Sequence, residues 1–307
     1  MNKKVLLLGG LLVDRYLHLM YYPERGEDTL INEEKEYIGG CPYNVAISLK
    51  NLEAEPIVYS AIGNGPLGQF INDEITSKKL DKSCIFKAKT GESGYCLIML
   101  DNDKERTFFA KHGCEGQFNS EIISESLFDE IEYIYLTGIY VLYKDNNKEL
   151  INFLIKAKEH GKKIIFDVAP MIGSIPKEVI EQILPLCHTL KVNKNERITL
   201  EKVINSDLRK SLLLSSVYCI IETNGSNGSI AYYDKQSMHI PSYPTNVQDS
   251  NGAGDNYIAG FIYGLLNNQD IEHCMKIANA CGSLACETLG TTVTYTINDI
   301  ENKIKNS

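Results

Sequence analysis

Asp249-Ser250-Asn251-Gly252-Ala253-Gly254-Asp255 places a carboxylate and an anion-binding backbone within a few residues of each other. Gly252 and Gly254 leave the main chain bare, so successive N–H groups can converge on one anion. Ile258, Phe261, Ile262, Leu265 and Leu266 follow at helical spacing. The loop therefore opens a helix whose unpaired N–H groups and positive dipole end add to the same site. A carboxylate there repels the anion, and one chemistry reconciles the two. The backbone of Gly252, Ala253 and Gly254 stabilises a transferring phosphoryl group, while Asp255 takes the proton of the hydroxyl that attacks it. For Gly-x-Gly-Asp alone, a helix start with Asp255 serving the macrodipole explains the residues as well.

Other segments supply groups suited to a polyol and a nucleotide. Gly39-Gly40-Cys41-Pro42-Tyr43-Asn44 lets backbone approach a ligand closely. Asn44, at a helix start, can cap that helix or offer a donor and an acceptor to hydroxyl groups. Asp14 closes the first apolar run, the place where an open α/β sheet binds ligands; a solvated strand-end acid is the equal alternative. Asn193 and Glu196, three apart on one helix face, suit a hydrated magnesium ion on nucleotide phosphates or, equally, a capped helix start. Gly63-Asn64-Gly65-Pro66-Leu67-Gly68 fits the dinucleotide fingerprint, with Asp81 at the distance sought for a ribose acid. It follows an internal strand and has Pro66 in its turn, so it reads as a strand-to-helix turn. No P-loop string occurs.

The 307 residues carry a formal charge of −9, with 43% hydrophobic and 23% charged residues. This is a globular composition that favours neither nucleic acid nor an anionic membrane. A nucleotide site in so acidic a chain needs local cations or a metal. The nine cysteines are scattered without a Cys-x-x-Cys pair, which reads as reduced thiols in a cytoplasmic protein without structural zinc. Lys3-Lys4 and the apolar run to Val13 resemble the start of a signal peptide, but Asp14-Arg15 closes it with no cleavage site.

Strands and helices alternate from residue 133 onward: strand 133–136 and helix 145–159, strand 163–167 and helix 176–186, strand 189–192 and helix 206–215. Strands 218–222 and 229–233 follow, then helices near 254–267, 270–288 and 298–305. Such alternation implies an α/β fold with a mostly parallel sheet covered on both faces. The extended stretches 15–38 and 92–113, the second with a turn at 101–103, form a small sheet over one end. The expected organisation is a single domain of residues 1–307.

The 249–255 string resembles the second signature of the ribokinase-like (PfkB) carbohydrate kinases, with Ser250 where a threonine is usual. The segment 39–46 resembles their first. The resemblance implies a ribokinase-like fold with a small β-sheet lid, and transfer of the γ-phosphoryl of MgATP to a hydroxyl of a small carbohydrate. It implies Asp255 as general base, with Asp14, Gly39, Gly40 and Asn44 on the sugar. Asn193, Glu196, Thr223, Gly225, Gly228 and Asn279 would line the nucleotide, Glu196 reaching magnesium through water. A potassium site near Asp249 and a homodimer through the lid also follow. Three departures stand out: Gly65 where an aspartate is common, Cys41 where some members carry lysine, and Asp167-Val168-Ala169-Pro170-Met171 in place of Asp-x-Asn-x-Arg. A nucleoside kinase of the same fold, with Tyr16, Tyr21, Tyr22, Tyr37 and Phe109 as stacking surfaces, is the first alternative. A catalytically weak sugar-binding sensor is the second. Tyr16, His18, Phe109, His112 and Glu115 are the lid residues expected to set specificity.

Overall fold

A computed structural model describes residues 4–101, 106–212, 217–288, 290 and 293–306. Parts of the turn expected at 101–103 and of the helix expected at 206–215 lie outside them. The strands are β1 (Lys4–Leu8), β2 (Leu12–Leu19), β3 (Ile31–Gly39), β4 (Pro56–Ile62), β5 (Ile85–Lys87), β6 (Tyr95–Leu100), β7 (Arg106–Lys111), β8 (Ile131–Thr137), β9 (Lys163–Asp167), β10 (Cys187–Asn193), β11 (Cys219–Thr223), β12 (Ser229–Tyr233) and β13 (Gln236–Ile240).

Nine of them form one sheet in the order β13-β12-β11-β10-β9-β8-β1-β4-β5. All neighbours are parallel from β11 through β5, and the β11–β12–β13 edge is antiparallel. Side-chain alternation sorts this sheet into two cores. Leu6 and Leu8 enter one, while Val5 and Leu7 enter the other with the Cys41–Asn51 and Ala253–Leu266 helices. A strand buried on both faces must be apolar throughout, as the N-terminal run is.

The second sheet has the order β3-β2-β6-β7, with β2 and β6 parallel and the outer pairs antiparallel. It begins earlier than residue 15. The N-terminal run is not one strand: it breaks at Gly9-Gly10, and Asp14 lies within β2, not at the end of β1. The break follows from packing. A Cβ on Gly9 would lie 2.7 Å from Pro42 Cγ, and one on Gly40 would strike the Gly10 carbonyl oxygen. Register puts Asp14 and Tyr16 on the same face as Tyr37, Cys96, Ile98, Phe108 and Arg106. Strand β13 had no glycine to announce its hairpin. Asp234 and Lys235 make the turn at φ 45° and 62°, as a two-residue loop requires.

The Gly63–Gly68 loop already holds an anion from its own chain. Glu92 Oε1 accepts the N–H of Gly68 at 3.2 Å and of Ser93 at 2.8 Å. Glu92 Oε2 packs so closely on Gly65 that no Cβ fits, which explains glycine where an aspartate is common. Replacing Glu92 by alanine should lower the unfolding free energy by about 1–3 kcal/mol in urea melts, because it strands these donors. Glu92→Gln should recover much of the loss. Unchanged stability of Glu92→Ala would show that the loop does not need the carboxylate.

Candidate functional site

Two helix N-termini meet at the mouth between the sheets. Gly252, at φ 75°, is the N-cap of the Ala253–Leu266 helix; Gly40, at φ 105°, is the N-cap of the Cys41–Asn51 helix. Left-handed φ of this kind is the conformation that glycine adopts without strain. The turn at Gly252 is fixed from beneath. Buried Asn256 donates Nδ2–H to the Gly252 carbonyl at 2.8 Å and accepts the Tyr295 hydroxyl at 2.9 Å, and Tyr295 also contacts Ser48 Oγ. Ala253 donates its N–H back to the Ser250 carbonyl at 3.3 Å. Of the expected donors, Ala253 is thus turned back into the loop, while the N–H groups of Gly252, Gly254 and Asp255 have no carbonyl of their own helix to reach.

Asp255 is joined to the other helix start: Asn44 Nδ2 donates to Asp255 Oδ2 at 2.8 Å. The carbonyl oxygen of Asn44 is buried and has no partner, which is where a ligand hydroxyl can donate. Gly39 fits directly over the Asp14 carboxylate, leaving no space for a Cβ. Burial and the neighbouring Asp255 charge push Asp14 up to about 7. Burial and Asp167 push Asp255 up to about 6 against the Asn44 hydrogen bond and the Lys191 charge, which lower it. Asp14, Gly39, Gly40, Asn44 and Asp255 thus come together as one polar patch.

Sequence reasoning missed the cation in this site. Lys191 is buried, its Nζ 2.9 Å from Asp167 Oδ1 and 3.2 Å from the position of a Cβ on Gly254. Burial would lower its pKa, but Asp167, Glu196 and Asp255 raise it, so it stays charged. The Asp167–Met171 segment therefore does not leave the region without a cation. It turns through Ala169 and Met171 in the left-handed region, and β10 supplies the ammonium from beside it. A single lysine between apolar residues of β10 carries no signal by itself, because it looks the same whether solvated or paired.

Asn193 and Glu196 form a reciprocal capping box, Glu196 N–H to Asn193 Oδ1 at 2.9 Å and Asn193 N–H to Glu196 Oε2 at 2.7 Å. Among the described residues no group of three or more His, Cys, Asp or Glu gathers as a metal cage. The cap uses Asn193 Oδ1 and Glu196 Oε2, so of this pair the Glu196 Oε1 atom is the oxygen that would meet a hydrated magnesium ion carried on nucleotide phosphates. Thr223 pairs in register with Asn193, and the turn Gly225–Gly228, at φ 56° and 80°, continues from it. Asn279 spends its amide on the carbonyls of Ile240 (3.1 Å) and Pro241 (3.3 Å) and accepts Ser229 Oγ at 3.3 Å. It braces the wall beside that turn. The small residues around it serve helix packing: a Cβ on Gly260 would lie 2.7 Å from Cys281 Sγ and 2.9 Å from Ala278 Cα.

Three expectations need correction. Glu115 is fully buried, accepting the N–H groups of Gly94 (2.7 Å) and Gly113 (2.8 Å) and the Tyr143 hydroxyl, and His112 stacks on Tyr143. Both residues are tied to Tyr143, and the Glu115 carboxylate is filled by donors from its own chain. Phe109 lies on the opposite face from Asp14; Phe108 shares that face. Asp249 does not fit potassium, because Arg106 and two backbone N–H groups fill its carboxylate.

The chain matches the family described as pfkB family carbohydrate kinase over residues 3–298. An uncharacterized sugar kinase of Escherichia coli (strain K12) is 27% identical over 293 residues, 92% of this chain and 88% of that protein. A nucleoside kinase of Methanocaldococcus jannaschii is 25% identical over 298 residues, 94% of this chain and 92% of that protein. The Arabidopsis thaliana ribokinase complexed with ribose and ATP shares the fold, with a TM-score of 0.84 at 19% identity and coverage of 100% of both chains. Among the described residues no helix is long and apolar enough to cross a membrane.

A carboxyl raised above its ordinary 3.8 binds its proton more tightly in the folded chain. Its contribution favours folding most at low pH and is lost as pH rises through about 6 for Asp255 and about 7 for Asp14. Asp255→Asn and Asp14→Asn should therefore raise the Tm at alkaline pH, and the gain should vanish toward pH 4. Thermal melts at both pH values check this; a lower Tm at alkaline pH would mean that the ionised carboxylates stabilise the fold.

Proposed function

Since the chain belongs to the pfkB family of carbohydrate kinases, we propose that it moves the γ-phosphoryl of MgATP to a hydroxyl of a small carbohydrate, with Asp255 as general base. The observation that carries this reading is the contact of Asn44 with Asp255. One amide orients the base and presents an unpartnered oxygen to the substrate. Asp14 accepts further hydroxyls beside it. As the alcohol oxygen bonds to the γ-phosphorus, its proton passes to Asp255 and the bond to the β-phosphate oxygen breaks, releasing ADP. The N–H groups of Gly254 and Asp255 face the charge on the equatorial oxygens, and Lys191 adds a fixed positive charge behind them. Magnesium, reached by Glu196 through water, would neutralise the phosphates. Thr223, Gly225 and Gly228 line the nucleotide, and Asn279 supports them.

A second reading, a nucleoside kinase, has its own observation. Phe108 and Tyr37 are about half exposed on the lid face that carries Asp14, and an aromatic face stacks a base as readily as it covers a sugar.

ADP release should be followed with MgATP across ketoses, aldoses, polyols, sugar phosphates and nucleosides. The accepted class decides between the two readings. Asp255→Asn should lower kcat about 10²- to 10⁴-fold while substrate binding persists; equal rates would remove Asp255 as the base. In the wild type, kcat/KM should rise with pH through about 6, since the base must be deprotonated. Asp167→Asn/Lys191→Met, which neutralises both partners, should lower kcat about 10²-fold or more with KM for the sugar little changed. An unaltered kcat would assign that pair to folding alone.

A further inference from the structure

Arg106, in β7 of the small sheet, reaches across to the acid that begins the anion loop. Its Nη1 and Nη2 donate to Asp249 Oδ1 and Oδ2 as a two-pronged fork. Asn251 N–H also donates to Oδ1 at 2.8 Å, and Gly290 N–H to Oδ2 at 2.8 Å. A carboxylate offers about four lone-pair directions, and here four N–H donors take them. The pair is part-buried, with the Asp249 side chain only 2% exposed. Burial would raise the Asp249 pKa, yet the Arg106 fork and the two backbone donors hold it below the usual range.

A metal cation needs lone pairs, and this carboxylate has none to give. A fork of planar donors also fixes direction, which a spherical ion does not. We propose that Arg106 is the resident monovalent cation of the 249–255 loop: it takes the place of a potassium ion, so the loop is held by the lid and the chain has no requirement for a monovalent metal. The proposal rests on the kinase reading only for the loop's purpose. The charge is delivered by the lid strand, so ordering of the anion loop is tied to lid position. Arg106 is a positioning residue in this arrangement, acting through Asp249 and the backbone that follows it.

The test uses the full chain and needs no turnover, so an unidentified acceptor leaves it intact. Thermal melting and MgADP affinity are measured in potassium, sodium and choline chloride at equal ionic strength. Wild-type values should be the same in all three salts. Arg106→Met should melt lower and bind MgADP more weakly, with potassium restoring part of both losses, because the emptied carboxylate regains room for an ion. Arg106→Lys, with one charge but no fork, should fall between. A potassium-specific rise in wild-type melting temperature, or in MgADP affinity by about tenfold, overturns the proposal. So does an Arg106→Met protein that melts and binds as the wild type does. Should Arg106→Met not fold, the wild-type salt comparison decides by itself.

Discussion

The hydrogen bond between Asn44 and Asp255 ties together two helix starts more than two hundred residues apart in sequence. Each helix begins at a left-handed glycine whose N–H end faces the mouth between the sheets. Without this bond, the acid in the first turn of the Ala253–Leu266 helix could swing to its own N–H groups, as first-turn acids commonly do. With it, the carboxylate is turned toward the polar patch and kept partly desolvated. Ser48, one turn further along the same helix as Asn44, meets Tyr295 and through it Asn256 and the Gly252 carbonyl. The Cys41–Asn51 helix thus braces both Asp255 and the turn.

The site has to hold several acids in a chain whose net charge is −9, and it separates them by partner. Asp249 is saturated by donors and held ionised; Asp167 is tied to Lys191; Asp255 and Asp14 lack such partners and are raised. The same residue type is therefore held ionised, ion-paired or raised in pKa according to its neighbours. The two cations come from opposite sides, Lys191 from the main sheet and Arg106 from the lid.

The departures from the family pattern have local explanations. Gly65 is small because Glu92 occupies the space beside it. The altered 167–171 segment keeps its aspartate, and the cation is Lys191 from the neighbouring strand. Cys41, where some members carry lysine, lies within reach of Asp255, buried enough that its thiol is pushed well above the usual range. It offers a neutral S–H there, not a charge.

Much was legible in the chain itself. The two glycine-bearing strings, the alternation of strands and helices, and the acid following the second string mark backbone conformations and chemistry that few other residues permit. They determined the fold class and the family, and they marked Asp255 as the candidate base. The sequence could not show which side chains answer one another across the fold. Asn279 turned out to brace a wall and Glu115 to fasten the lid's base, whereas the mutual cap of Asn193 and Glu196 is the local alternative that their spacing already offered. Phe108 rather than Phe109 shares the site-facing face, because a single step of register reverses a strand's faces. Lys191 and Arg106 gave no local signal, since one charged residue in a strand looks the same whether solvated or paired. Only the tertiary structure brings Arg106 onto Asp249 across a sequence separation of 143, and the strength and meaning of a charge depend on what is brought beside it.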